Sequence, residues 1–216
     1  MDKFDESKCC FHVNKRDEKL VINRDVQAAE LRRNQFEAIP EEIPDTIEYL
    51  DLSDNLIKKV NSERFTEIKV LDLGYNLLQE HDCIKNDSLE ELYLMANDIQ
   101  HISSSIKHLK RLKKIDIASN RILNADIIAD LPLSIEEIYL GANKINRFNC
   151  DLSHLINLKI LDLQFNDLTE INVDLLPSNL HTLLLNDNPN LKNLFNLKKD
   201  FKILDLLNTK VAKKEN

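Results

Sequence analysis

Apolar residues along this chain fall into one fixed frame. Over eleven residues the order is apolar, two variable positions, apolar, variable, apolar, two variable, asparagine, variable, apolar; the frame returns every 21 to 23 residues. Its copies read VQAAELRRNQF, IEYLDLSDNLI, IKVLDLGYNLL, LEELYLMANDI, LKKIDIASNRI, IEEIYLGANKI, LKILDLQFNDL and LHTLLLNDNPN, followed by FKILDLLNTKV. The frame asparagines are Asn34, Asn55, Asn76, Asn97, Asn120, Asn143, Asn166 and Asn188, and the ninth copy carries Thr209 instead. The alternation inside each frame, as in Leu50-Asp51-Leu52, has the two-residue period of a strand with its leucines pointing inward. Self-similarity at this spacing predicts a solenoid in which the strands stack as one parallel sheet.

Between frames the chain must cross back behind the sheet. Apolar pairs there would close the core from the rear: Ile39 with Ile43, Val60 with Phe65, Ile127 with Leu131, Phe148 with Leu152. The spacing of Ile102, Ile106 and Leu109 fits a turn or two of helix, so the longer repeats are expected to hold short helical or 3₁₀ returns. The proline-rich EAIPEEIPDT predicts more extended paths near the start. Solenoid ends need caps. Residues 1–25 are expected to form one, with Phe11–Val13 and Leu20–Ile22 as arms of a hairpin; 26–211 form about nine repeats, and 212–216 a short charged tail.

The pattern of inward leucines and a turn asparagine resembles the leucine-rich repeat family. That resemblance implies an α/β repeat solenoid, a horseshoe with a concave parallel β-sheet and short helical, 3₁₀ or extended convex segments. It also implies that the asparagine amides bond backbone groups of neighbouring turns, a role suited to a side chain with both donors and an acceptor.

Charge narrows the partners. The 216 residues carry 29 Lys and Arg against 37 Asp and Glu, a formal charge of −8. Nucleic acid and anionic membranes demand a basic surface, so a protein partner with a basic or amphipathic segment is the better expectation. No secretory leader is visible near the start, and no apolar run approaches the roughly 18 residues of a membrane span. Extracellular relatives of the resembled family carry cysteine-rich caps at both ends, whereas here Cys9 and Cys10 are adjacent, and Cys83 and Cys150 stand three repeats apart. Reduced cysteines and a cytoplasmic or nuclear setting follow.

The outward strand positions are where function would be carried. The central row reads Glu30, Asp51, Asp72, Tyr93, Asp116, Tyr139, Asp162, Leu184, Asp205, an acidic strip interrupted by tyrosines. Tyrosine gives large contact area at low entropic cost, and carboxylates give charge complementarity. The candidate binding residues are therefore Tyr49, Asp51, Asp72, Tyr75, Tyr93, Met95, Asp116, Tyr139, Asp162 and Phe165. Two readings of the strip stay open, since aspartate between the leucines is also family filler. The only glycines, Gly74 and Gly141, would let a ligand approach the backbone.

Other chemistry is not encoded. Two glycines so far apart exclude a phosphate-cradling loop. His81, Cys83 and His101 come nearest to a metal set but lack paired short spacing, and Cys83 and Cys150 read as packing residues. The expectation is a non-catalytic scaffold, adaptor or regulatory subunit, without cofactor, whose thin C-terminal edge is available for self-association. Its alternatives are an extracellular or secreted recognition protein, such as an immune-type receptor fragment or pathogen effector, and an enzyme accessory such as the substrate-reading half of a ubiquitin ligase.

Overall fold

Each frame supplies one three-residue strand, too short to stand alone and stabilised by its neighbours on either side. The computed structural model describes residues 5–13, 19–82, 84–197 and 200–212. Its strands are β1 (Cys9–Phe11), β2 (Ala28–Glu30), β3 (Tyr49–Asp51), β4 (Val70–Asp72), β5 (Glu91–Tyr93) and β6 (Lys114–Asp116). They continue as β7 (Glu137–Tyr139), β8 (Ile160–Asp162), β9 (Glu170–Asn172), β10 (Thr182–Leu184), β11 (Asn193–Phe195) and β12 (Ile203–Asp205). A ten-stranded parallel sheet runs in the order β1 to β8, then β10 and β12, while β9 and β11 pair separately in the returns.

Register follows the frame. Leu50 lies opposite Leu71, Leu92 opposite Ile115, Ile138 opposite Leu161, and Leu183 opposite Leu204, so like positions stack in rows. Inward leucines and isoleucines from successive turns form one continuous core, and most of them are wholly inaccessible. At about 1.5 to 3 kcal/mol for each buried aliphatic side chain, this row-by-row packing is what holds the stack.

The asparagines form the ladder that the resemblance implies. Asn76 Nδ2 donates to Leu52 O in the preceding turn at 3.0 Å and to its own Leu73 O at 3.1 Å, while its Oδ1 accepts the Ile57 N–H at 2.9 Å. The residue before each frame asparagine is left-handed, with φ between 52° and 57° from Arg33 to Asp187. That kink swings the chain out of the strand and aims the amide inward. At the ninth turn Thr209 replaces the amide and its hydroxyl bonds only locally, to Leu206 O at 2.8 Å.

The returns are extended or 3₁₀, and no α-helix occurs among the described residues. Ser104–His108 and Asp126–Asp130 are 3₁₀ turns in the longer middle repeats, where they bury Ile106 and Ile128. A 3₁₀ turn climbs about 2 Å per residue, which suits a return of barely a dozen residues better than an α-helix does.

At the N-terminus β1 joins the sheet in parallel, with Cys10 opposite Ala29. His12 is buried, and its carbonyl accepts from Asn34 Nδ2. Cys10 and His12 thus stand where other turns have leucine, a degenerate tenth turn that leucine counting passes over. Leu20–Ile22, the other arm of the expected hairpin, forms no strand, and the turn expected to join the arms falls at 14–18, outside the described residues. At the opposite end Leu204 and Leu206 are only partly buried, whereas Leu183 and Leu185 one turn earlier are fully so.

Candidate functional site

Alternation puts the first and third residues of every strand on the same outer face. Tyr49, Asp51, Asp72, Tyr93, Asp116, Tyr139 and Asp162 therefore share the open face of β3 to β8. At its centre a two-by-three block forms: Glu91, Lys114 and Glu137 stand in one row, Tyr93, Asp116 and Tyr139 in the next, paired across β5, β6 and β7. The Tyr93 hydroxyl donates to Glu91 Oε2 at 2.6 Å, and the Tyr139 hydroxyl to Glu137 Oε2 at 3.0 Å. Lys114 Nζ is 3.3 Å from Glu137 Oε2 and lies over both tyrosine rings, 5.3 Å from the Tyr93 centroid and 5.1 Å from that of Tyr139. The place of Lys114 between the rings follows from the register of three strands, not from its own frame.

The face is crowded with carboxylates partly removed from water. Burial pushes the Asp72 carboxyl up to about 6 against the Gly74 N–H that lowers it, with Asp51 and Asp116 adding to the rise. Burial also raises Asp116, where the Ala118 N–H and Lys114 oppose it, and Asp162, where Gln164 opposes it. Burial and the neighbouring carboxylates push the phenols of Tyr49 and Tyr139 up to about 12. Tyr93 is raised by burial and by its bond to Glu91. All three tyrosines are thus neutral donors across the physiological range.

The aspartates also have a local role that composition does not reveal. Asp51, Asp72, Asp116, Asp162 and Asp205 each accept the N–H two residues on, at 2.8 to 3.0 Å, closing the strand exit. A carboxylate at that place caps the turn, which accounts for part of the acidic strip through folding alone. The two glycines are corrected by the same geometry. A Cβ on Gly141 would meet Asp162 Oδ2 and Gln164 Cγ at 3.1 Å, and one on Gly74 would meet Met95 Cγ at 3.1 Å and Asp72 Oδ1 at 3.2 Å. The space they leave is filled by neighbouring side chains and is not room for a ligand.

Tyr75 and Phe165 stand apart from this block. Both occupy the left-handed position before a frame asparagine, with φ of 54° and 52°, and both are exposed on the rim where the chain leaves the sheet. Met95 lies just beyond β5, partly buried beside Gly74. On the rim where chains enter the sheet, a row passed over in the sequence alternates in sign: Glu48, Lys69, Glu90, Lys113, Glu136, Lys159. It pairs Lys69 with Glu48, Lys113 with Glu90 and Lys159 with Glu136 across adjacent turns. Reading the residue ahead of each strand as a column would have exposed it.

The metal candidates do not converge. His81 is buried, and its Nε2 accepts the Ser103 N–H at 3.0 Å. Cys83 lies outside the described residues, among which no metal-holding cluster of His, Cys, Asp or Glu is found. Cys150 sits in the core, where burial pushes its thiol up to about 12, so it packs and does not attack. No helix among the described residues is long and apolar enough to cross a membrane.

No family model matches the sequence. The protein phosphatase 1 regulatory subunit SDS22 of Saccharomyces cerevisiae is 36% identical over 90 residues, 39% of this chain and 27% of SDS22. The internalin inlF of Listeria monocytogenes superposes with a TM-score of 0.67 at 20% identity, over 88% of this chain and 57% of the internalin. TLR13, solved in complex with the RNA ssRNA13, superposes with a TM-score of 0.64 at 20% identity, over 82% of this chain and 33% of the receptor. The chain thus spans well under two thirds of the length of each, and the two solved structures speak to the fold alone.

Proposed function

We propose that this chain, whose fold is that of leucine-rich repeat proteins, is a non-catalytic binding scaffold holding a basic or amphipathic protein segment on its concave sheet face. One observation carries the reading: the block of Tyr93, Asp116, Tyr139, Glu91 and Glu137 sets large aromatic surfaces on an open face among three carboxylates that the single Lys114 only partly offsets. Turn-capping explains why an aspartate stands at the strand exit. It does not explain why tyrosine replaces it on β5 and β7, where the cap is lost. Similarity to a phosphatase regulatory subunit supports a regulatory or adaptor role.

The negative field of the face disfavours nucleic acid and anionic lipid, although the same fold accommodates an RNA in TLR13. Cys9, Cys10 and Cys150 are free thiols, and Cys10 and Cys150 pack against or within the core, which supports a reducing, cytoplasmic or nuclear setting. The partly uncovered leucines behind β12 support a second contact there, between copies of the chain. The test of the main reading is affinity capture from native cells with wild-type and Tyr93→Ala/Tyr139→Ala baits. Loss of the captured protein with a melting temperature lowered by only a few degrees supports it. Equal capture by both baits overturns it.

A further inference from the structure

The central block already holds a cation. Lys114 reaches up from β6 so that its ammonium faces two aromatic rings at once, 5.3 Å from the Tyr93 centroid and 5.1 Å from the Tyr139 centroid. Each ring is fixed by its own hydroxyl, bonded to Glu91 or Glu137 on the same strand. Two rings and the Glu137 carboxylate converge on the ammonium, with Glu91 behind the Tyr93 hydroxyl, and this arrangement forms a cage for an alkylammonium or guanidinium.

The cage is not neutralised by its occupant. Glu91, Glu137 and Asp116 contribute −3 and Lys114 +1, which leaves a formal −2. Among the described residues Lys114 approaches Glu137 within 3.3 Å, while Glu91 has no ion pair within 4 Å. A recess of about 250 Å³, lined by Glu91, Lys113, Lys114, Glu136 and Glu137, opens beside it. The hold on Lys114 is also light: one partly exposed ion pair and two ring contacts near the outer limit for cation–π attraction. Its long flexible stem allows the ammonium to leave without disturbing the strand.

We propose that Lys114 is an internal ligand of a cation cage, and that an arginine of the basic partner segment displaces it to stack between Tyr93 and Tyr139. The proposal rests on the reading of the sheet face as the site for a basic segment. It adds selectivity to that reading. An incoming side chain must outcompete a lysine already in place, and a planar guanidinium stacks on aromatic rings and pairs with a carboxylate edge in a way an ammonium does not. Lys114 would therefore reject weak lysine-only contacts and admit arginine.

The probe is N-acetyl-arginine amide, with N-acetyl-citrulline amide as its uncharged analogue. Binding is read from intrinsic tyrosine emission, since the chain has four tyrosines and no tryptophan. Lys114→Met, which keeps the stem and removes the charge, is expected to bind the arginine probe about fivefold more tightly than wild type. Lys69→Met removes the same charge on the rim, away from the cage and its recess, and should stay within about twofold of wild type. Adding Tyr93→Leu and Tyr139→Leu to Lys114→Met should abolish the gain, and citrulline should show none. Lys114→Gln repeats the measurement with a polar replacement.

The inference is overturned by no gain in either Lys114 variant, by an equal gain in Lys69→Met, or by a gain that survives loss of both rings. A gain at Lys114 together with tyrosine-independent partner capture would keep the cage and remove the proposed function. The converse result would remove the cage alone.

Discussion

Asp72 Oδ1 accepts the Gly74 N–H at 2.8 Å, a bond that favours the ionised carboxylate, yet burial at the sheet face outweighs it and raises the carboxyl. Its folded value, about 6, lies above the ordinary 3.8. Between those values the folded state binds more protons than the unfolded chain, so Asp72 makes stability fall as pH rises from about 4 to about 6. Asp72→Asn keeps an oxygen for the Gly74 N–H and removes the charge. It should raise stability at pH 7.5 by on the order of 1 kcal/mol and flatten the loss across that window, as read by calorimetry from pH 4 to 8. A variant less stable than wild type at pH 7.5 would show that the charge is better compensated than its surroundings suggest.

Partner binding should carry the opposite dependence. Asp72 is raised to about 6, so acidification from pH 7.5 toward 5.5 removes its negative charge from the face before it reaches exposed carboxylates, and Asp116 and Asp162 are shifted in the same direction by burial. Affinity for a basic segment should fall over that interval, measured by titration with the captured partner at fixed ionic strength. Affinity that stays level or rises would place the contact elsewhere.

Asn143→Ala tests the ladder. The amide donates to Ile117 O at 3.0 Å and Leu140 O at 3.1 Å and accepts the Ile122 N–H at 2.9 Å, all in buried surroundings. Truncation strands these groups and should cost about 2 to 4 kcal/mol in urea unfolding. A cost below about 0.5 kcal/mol would mean that water or a shifted turn satisfies them.

Gly141→Ala separates two uses of a glycine. No glycine here has positive φ, so alanine would ordinarily stabilise by about 0.4 to 1 kcal/mol. The carboxylate of Asp162 at 3.1 Å from the added Cβ predicts the reverse, a loss of about 1 to 2 kcal/mol. In an Asp162→Ala background the penalty should shrink, and an unchanged penalty would implicate Gln164 instead.

The C-terminal edge should govern association between copies. Ile203 is exposed on β12, and Leu207 just beyond it is exposed as well. Ile203→Lys places charge on that open edge, and sedimentation velocity should shift toward monomer. A wild-type chain that is monomeric at every concentration would contradict the contact.

The sheet, its register and the inward leucines were legible because strand period and repeat period coincide in one frame, and each leucine reports on its own environment. The asparagine ladder was legible through the resemblance. The first turn was not, because Cys10 and His12 fill leucine places without being leucines. Nor was the cage, which depends on Lys114 meeting residues of two other turns, a relation across strands that the frame does not spell out. The aspartate caps lay hidden for a different reason: one residue type serves both charge and turn geometry, and composition cannot separate the two.

The most direct test of the binding face is carboxyl footprinting of the full chain with its captured partner, using carbodiimide coupling read by mass spectrometry. Protection of Glu91, Asp116 and Glu137, with labelling of Asp126, Asp130 and Asp151 on the returns unchanged, is the result expected. Protection confined to the returns, with the sheet-face carboxylates labelled as in the free protein, would contradict it.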